Sequence, residues 1–152
     1  MVSCGRQKIC LLNQYQAIHS TIMQIRHTGV LVDDQEKALR FYTEKLGFTK
    51  KTDIAVGHYR WLTVTSPEGV EGVELVLEPM AFPPAKTFQD AKFEAGIPSA
   101  AFITRDVHAE YNKLKASGVV FRGVPTAMGP STGVIFEDTC GNLINLVQPP
   151  GF

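Results

Sequence analysis

One short plan occurs twice in this chain, and that repetition constrains the fold more than any other feature. The plan is a brief alternating strand, an aspartate, an amphipathic helix, a glycine and a new strand. The first copy runs from His27 to Phe48. Val30 and Val32 fall on one strand face, and His27, Gly29 and Leu31 on the other. Asp33 or Asp34 can cap the helix that follows. Ala38, Leu39, Phe41, Tyr42 and Leu46 recur at the spacing of one helical face, and Gly47 ends it. The second copy follows Ala100-Ala101-Phe102-Ile103. It reuses the plan through Asp106, Val107, Tyr111, Leu114, Gly118 and Val119.

Three strands are expected after each helix. Phe48 to Ile54, Tyr59 to Thr65 and Val73 to Glu78 follow the first, which spans about 34–46. Val119 to Arg122, Gly133 to Glu137 and Leu143 to Gln148 follow the second, which spans Val107 to Ser117. Tyr59, Trp61 and Thr63 share a face, with Arg60 on the opposite one. Glu74, Val76 and Glu78 likewise share a face. Val73-Glu74-Leu75-Val76 matches Ile144-Asn145-Leu146-Val147. Pro125 to Gly133 reads as a loop, and Asp138 to Asn142 as a tight turn that places the last strand.

These boundaries divide the chain into an N-terminal extension (1–22) and a single domain (23–149). Within the domain, module one covers 23–80, a linker 81–97, and module two 98–149. The linker holds a short helix near 85–94, and its Phe82, Phe88 and Phe93 are expected to pack onto the sheet. A unit of roughly 55 residues buries too little surface to stand alone, so the modules are expected to stack on each other.

Composition removes several functions. Formal net charge is zero over 152 residues, which supplies no field for nucleic acid or a membrane surface. No stretch approaches the ~20 apolar residues of a membrane helix. The longest apolar run near the start, Ile9 to Leu12, is too short for a secretory signal. Three cysteines (Cys4, Cys10, Cys140) cannot all pair internally. The chain reads as cytoplasmic with reduced thiols, and Cys140 as a small buried residue. There is no phosphate-cradling glycine loop, dinucleotide fingerprint or Cys-x-x-Cys pair.

At residues 23–149 the chain resembles the vicinal oxygen chelate superfamily of glyoxalases, bleomycin-resistance proteins and extradiol dioxygenases. His27, Val32, Asp34, Phe41-Tyr42 and Leu46-Gly47-Phe48 carry the resemblance in module one. Asp106, Leu114, Gly118, Phe136-Glu137-Asp138 and Gly141-Asn142-Leu143-Ile144 carry it in module two. It implies an α+β fold: two βαβββ modules forming an open, cavity-containing, barrel-like sheet. It also implies metal ligands on the first and last strand of each module. The corresponding positions are His27 and Glu74 in module one, and Ser99 and Asn145 in module two.

Only His27 and Glu74 are strong ligands for a divalent ion such as Mn, Ni, Zn or Fe. Without an ion, Glu74 can act as a base while His27 donates a hydrogen bond. Ser99 and Asn145 can hydrogen-bond a ligand, Trp61 can stack on one, and Met128 can cover it from the 125–130 loop. Glu78 lies about 13 Å beyond Glu74 along a straight strand, where it can sit at the cavity mouth or hold a separate cation. Arg105 and Arg122 are candidate anion contacts, and Glu137 a rim carboxylate.

Two functions follow from the resemblance. One is a glyoxalase-like lyase or isomerase acting on a small molecule with vicinal oxygens. The other is non-catalytic binding or sequestration of a small molecule, as in bleomycin-resistance proteins. An extradiol dioxygenase needs iron, and the ligand types at Ser99 and Asn145 count against it. A homodimer can draw one cavity from both chains.

Overall fold

A computed structural model describes residues 23–152 of the chain; the extension read over 1–22, with Cys4 and Cys10, lies outside the described residues. β1 (His27–Val32) leads into α1 (Gln35–Arg40), which is prolonged by a π-helical turn (Phe41–Lys45). Asp34 is the cap: its Oδ1 accepts from the amides of Glu36 and Lys37, each at 2.9 Å. The wider π turn brings two consecutive aromatics, Phe41 and Tyr42, into the interior. Gly47, at φ 73°, then reverses the chain into β2 (Thr49–Val56). β3 (Tyr59–Thr65) and β4 (Glu74–Pro79) complete module one.

After α2 (Pro83–Glu94) the plan repeats with β5 (Ala100–Ile103), α3 (Val107–Ala116), β6 (Thr126–Met128), β7 (Ser131–Glu137) and β8 (Leu143–Gln148). Asp106 caps α3 through the Ala109 amide at 2.9 Å. The sheets have matching orders, β1-β4-β3-β2 and β5-β8-β7-β6. In each, the first strand is parallel to the last and the other neighbours are antiparallel. The architecture is α+β, two βαβββ modules whose sheets stay separate within one chain.

One core serves both modules. Val30, Val32, Leu62, Val64, Leu75 and Leu77 enter it from the first sheet, and Val134, Phe136, Ile144 and Leu146 from the second. Between them, the aromatics at the end of α1 reach across: Phe41 lies 6.4 Å from Phe136, and Phe48 lies 5.4 Å from Phe102. The open face of each sheet therefore looks away from the shared core. This placement decides where a functional site can form.

A buried polar seam joins the modules. Asn142 Nδ2 donates to the Leu31 carbonyl at 2.7 Å and to Asp138 Oδ2 at 2.7 Å. Gln89, from α2, brings Nε2 within 2.8 Å of the same Leu31 carbonyl and 3.0 Å of the Cys140 carbonyl. The Tyr42 hydroxyl donates to Asp138 Oδ2 at 3.0 Å. Burial raises the Asp138 carboxyl above its ordinary range, and burial beside it pushes the Tyr42 phenol well up. Cys140 is buried and free, its thiol pushed up to about 12 mainly by burial.

The linker departs from its expected packing. Phe82 and Phe88 are exposed, and the Arg122 guanidinium lies over Phe93 at 4.7 Å. Gln89, a polar residue, is what anchors α2 to the interior. Val119 to Arg122 forms only an isolated bridge, Phe121 to Phe136, instead of a strand. Thr126–Met128, expected as loop, pairs with β7 as a short hairpin strand.

Candidate functional site

The open face of the first sheet gathers His27, Glu74, Trp61 and Glu78. β1 and β4 run parallel with His27 in register with Glu74, so both side chains leave the same face side by side. His27 Nε2 lies 3.9 Å from Glu74 Oε2. The histidine is half-exposed and the glutamate mostly covered. Trp61 stands against His27 edge-to-face, with ring centroids 5.5 Å apart and planes at 70°. Trp61 is 43% exposed, so it belongs to the open face and not to the core.

Thr63, which sequence reasoning did not single out, pins the glutamate. Its hydroxyl donates to Glu74 Oε2 at 2.5 Å, while its oxygen accepts from the Thr52 amide at 3.1 Å. The register of β2 and β3 shifts between Lys50 and Thr52, and this bulge aims the Thr52 amide at the threonine side chain. The hydroxyl proton is thereby directed at the carboxylate. A buried threonine directly before a core valine gives no sequence signal of this role.

Glu78 is placed by an absence of side chain. A Cβ on Gly29 would meet Glu78 Oε1 at 1.9 Å, so the carboxylate lies across the glycine, two residues along β1 from His27. Gln35 shapes the same face from behind. Direct β3–β4 pairing is confined to Thr63 with Val76 and Val64 with Leu75. Beyond this the strands part. The Gln35 amide donates to the carbonyls of Arg60 and Leu77, both at 2.8 Å, and accepts from the Arg60 amide at 3.1 Å. Arg60 itself points to the other face, paired with Asp53 at 2.7 Å and Glu36 at 2.9 Å. Its guanidinium holds the Asp53 carboxyl well below the usual range.

The module-two candidates lie elsewhere. Asn145 is on the open face of the second sheet, in register with Ala101 and Ile135. Met128 ends β6 beside it, and Ser99 precedes β5, its amide donating to the Leu143 carbonyl at 2.8 Å. Counting from the capping aspartates, Ala101 corresponds to Gly29, and Gly29 pairs with Val76. By register, then, Asn145 stands where Val76 does and not where Glu74 does. Since the open faces look away from the common core, one chain does not bring Asn145 and Met128 to His27 and Glu74. Arg122 is paired with Glu137 at 2.6 Å, partly exposed to solvent. Arg105 lines a separate cleft of about 770 Å³ between Phe48, Val70 and Ile103.

Chemically, this face offers an imidazole and a carboxylate beside an exposed indole. For a divalent ion it supplies two strong donors, His27 and Glu74, and no group of three His, Cys, Asp or Glu side chains is close enough to hold one among the described residues.

Residues 24–146 match the model of the Glyoxalase/Bleomycin resistance protein/Dioxygenase superfamily. The uncharacterized protein YurT of Bacillus subtilis (strain 168) is 50% identical over 126 residues, spanning 83% of this chain and 99% of that protein. The crystal structure of UcmS2 superposes with TM-score 0.71 at 31% identity, covering 84% of this chain and 98% of the other. That of TnmS3, an antibiotic binding protein from Streptomyces sp. CB03234, superposes with TM-score 0.67 at 33% identity, covering 85% and 98%.

Proposed function

The chain belongs to the Glyoxalase/Bleomycin resistance protein/Dioxygenase superfamily, and from that membership we propose that it binds and sequesters a flat, partly apolar small molecule. The ligand stacks on Trp61 and is hydrogen-bonded by Glu74 and His27. The observation that carries this reading is the half-exposed indole held on edge by His27 beside a carboxylate pinned by Thr63. An apolar surface with a few fixed polar groups is the ordinary make-up of a ligand site. The likeness to TnmS3, an antibiotic binding protein, supports it.

A second copy completes the pocket. The first sheet's open face exposes Ile54, Val56, Tyr59 and Trp61, and the second's exposes Ile103 and Met128. Setting the first face of one copy against the second face of another, about a two-fold axis, covers both and encloses two equivalent sites. The expected result is a dimer by sedimentation velocity, dissociated by Trp61→Glu; a monomer at micromolar concentration would remove this part of the reading. Among the described residues no helix is long and apolar enough to cross a membrane. A cytoplasmic setting suits the free thiol of Cys140.

The 3.9 Å contact of His27 with Glu74 favours a second reading, a lyase or isomerase. In it Glu74 takes a proton from carbon next to a substrate carbonyl and returns it to the neighbouring carbon, while His27 hydrogen-bonds the oxyanion. Native mass spectrometry of protein purified without added metal separates the two. A bound small molecule recovered unchanged supports sequestration. For sequestration, Glu74→Gln is expected to weaken binding by roughly tenfold, the worth of one hydrogen bond to a charged group. Turnover abolished by Glu74→Gln would replace sequestration with the second reading. Titration with Mn, Ni, Zn and Fe(II) gives a further check. Tight binding of one ion per chain, lost in His27→Ala, would show that ligands beyond this donor set complete a metal site.

A further inference from the structure

Asn145 carries an unused hydrogen-bond acceptor. Its Oδ1 is buried and has no partner, the one such side-chain atom among the described residues. Its register partners on the open face, Ala101 on β5 and Ile135 on β7, are apolar, as are Ile103 and Val147 toward one end of the sheet, while Thr126 beside Gly133 and Glu137 beside Leu143 bound this patch with polar groups. A single amide in an apolar surface is an orienting group, because its unmet hydrogen bond distinguishes one ligand pose from another.

Met128 provides the cover. A Cβ on Gly133 would lie 2.7 Å from Met128 Sδ and 3.3 Å from Asn145 Oδ1. The thioether and the amide oxygen therefore meet over the bare glycine backbone. A thioether has no proton to donate, so the Met128 sulfur on this side of Gly133 does not satisfy the oxygen. Its side chain is unbranched and flexible, sits at the end of a three-residue strand, and is exposed on its outer side.

We propose that Gly133, Met128 and Asn145 form a subsite for the hydrogen-bond donor of an apolar ligand. Met128 swings off Gly133, an N–H or O–H on the ligand donates to Asn145 Oδ1, and the ligand's apolar body covers Ala101, Ile103 and Val147. The subsite rests on the small-molecule reading and names the ligand class: flat or chain-like apolar molecules bearing a single donor at one edge. In the free protein the unmet acceptor lowers stability, so the same amide that selects the ligand is a liability without it.

The test uses indole and 1-methylindole, which differ in one N–H, with the intact chain labelled at its methionine methyls for NMR. Indole is expected to bind about tenfold more tightly than 1-methylindole, the discrimination of one buried hydrogen bond, and to shift the Met128 methyl. Asn145→Leu is expected to bring the ratio near one while its Tm stays level or rises. Asn145→Asp, which keeps an acceptor oxygen, is expected to retain the preference and covers the case in which the leucine variant fails to fold. Equal binding of the two probes, or a preference that survives Asn145→Leu, overturns the subsite and leaves the Trp61 reading standing. Failure of both probes to bind overturns the subsite and counts against the small-molecule reading as well.

Discussion

Asp138→Ala is expected to lower the unfolding free energy by about 3–5 kcal/mol, because several buried neutral donors lose their acceptor at once and each such loss costs about 1–3 kcal/mol before relaxation. Four donors converge on this carboxylate: the Tyr42 hydroxyl at 3.0 Å, the amides of Cys140 and Asn142 at 2.9 Å each, and Asn142 Nδ2 at 2.7 Å. Alanine leaves all four without an acceptor in a region water does not reach. The damage extends to the module contact, because Asn142 and Gln89 share the Leu31 carbonyl across that boundary. Urea unfolding measures the loss. Tyr42→Phe removes one donor and is expected to cost about 1–3 kcal/mol. A loss below 1 kcal/mol for Asp138→Ala would show that the seam is solvated and not structural.

The pH dependence has a definite sign. Burial raises the folded-state pKa of Asp138 above the ordinary carboxylate value of about 3.9. A raised pKa contributes stability that is fully present below the unfolded value and lost as pH rises through the folded one. Wild type is therefore expected to gain stability relative to Asp138→Asn as pH falls from neutral toward about 4. Urea midpoints of the two proteins across that window check it. A constant gap would mean that the carboxylate titrates normally in the fold.

Trp61→Ala is expected to leave the fold intact and weaken binding of the ligand recovered from the native protein by about 30-fold, near 2 kcal/mol, the threshold of an aromatic hot spot. The indole is half-exposed, so its removal opens no cavity in the core. Trp61→Phe keeps an aromatic face and should recover part of the affinity. Isothermal calorimetry is the suitable measurement, since Trp61 is the chain's only tryptophan and the variants lose the fluorescence signal. Affinity unchanged in Trp61→Ala would sink the stacking surface and with it the proposed ligand class.

Much of this fold was legible before any coordinates. Capping aspartates, apolar helix faces and stop glycines are local signals, and the strand, cap and helix of both copies formed as read, while the strand expected at Val119 to Arg122 is reduced to a single bridge. Leu143–Gln148 and Tyr59–Thr65 formed over their expected residues because strict alternation leaves little freedom of register. The linker was harder. Its three phenylalanines suggested a hydrophobic anchor, yet the anchor is Gln89, whose value depends on carbonyls at Leu31 and Cys140 that no linear pattern brings near it. Thr63 was missed for a similar reason: its role comes from a bulge in the neighbouring strand. The match of Asn145 to Glu74 followed sequence spacing, and the sheet register moved it to the place of Val76.

The sequence alone determined the repeated module, because alternation and helix periodicity act within a few residues and carry their own hydrophobic bookkeeping. The adjacency of His27 and Glu74 comes instead from the parallel register of β1 and β4, a pairing between strands distant in the chain. Only the tertiary structure decided which sheet faces are free. One core is shared by both modules, and the aromatics of the first helix fill it from between the sheets. That packing turns the two open faces away from each other. It separates His27, Glu74 and Trp61 from Asn145 and Met128 within the chain.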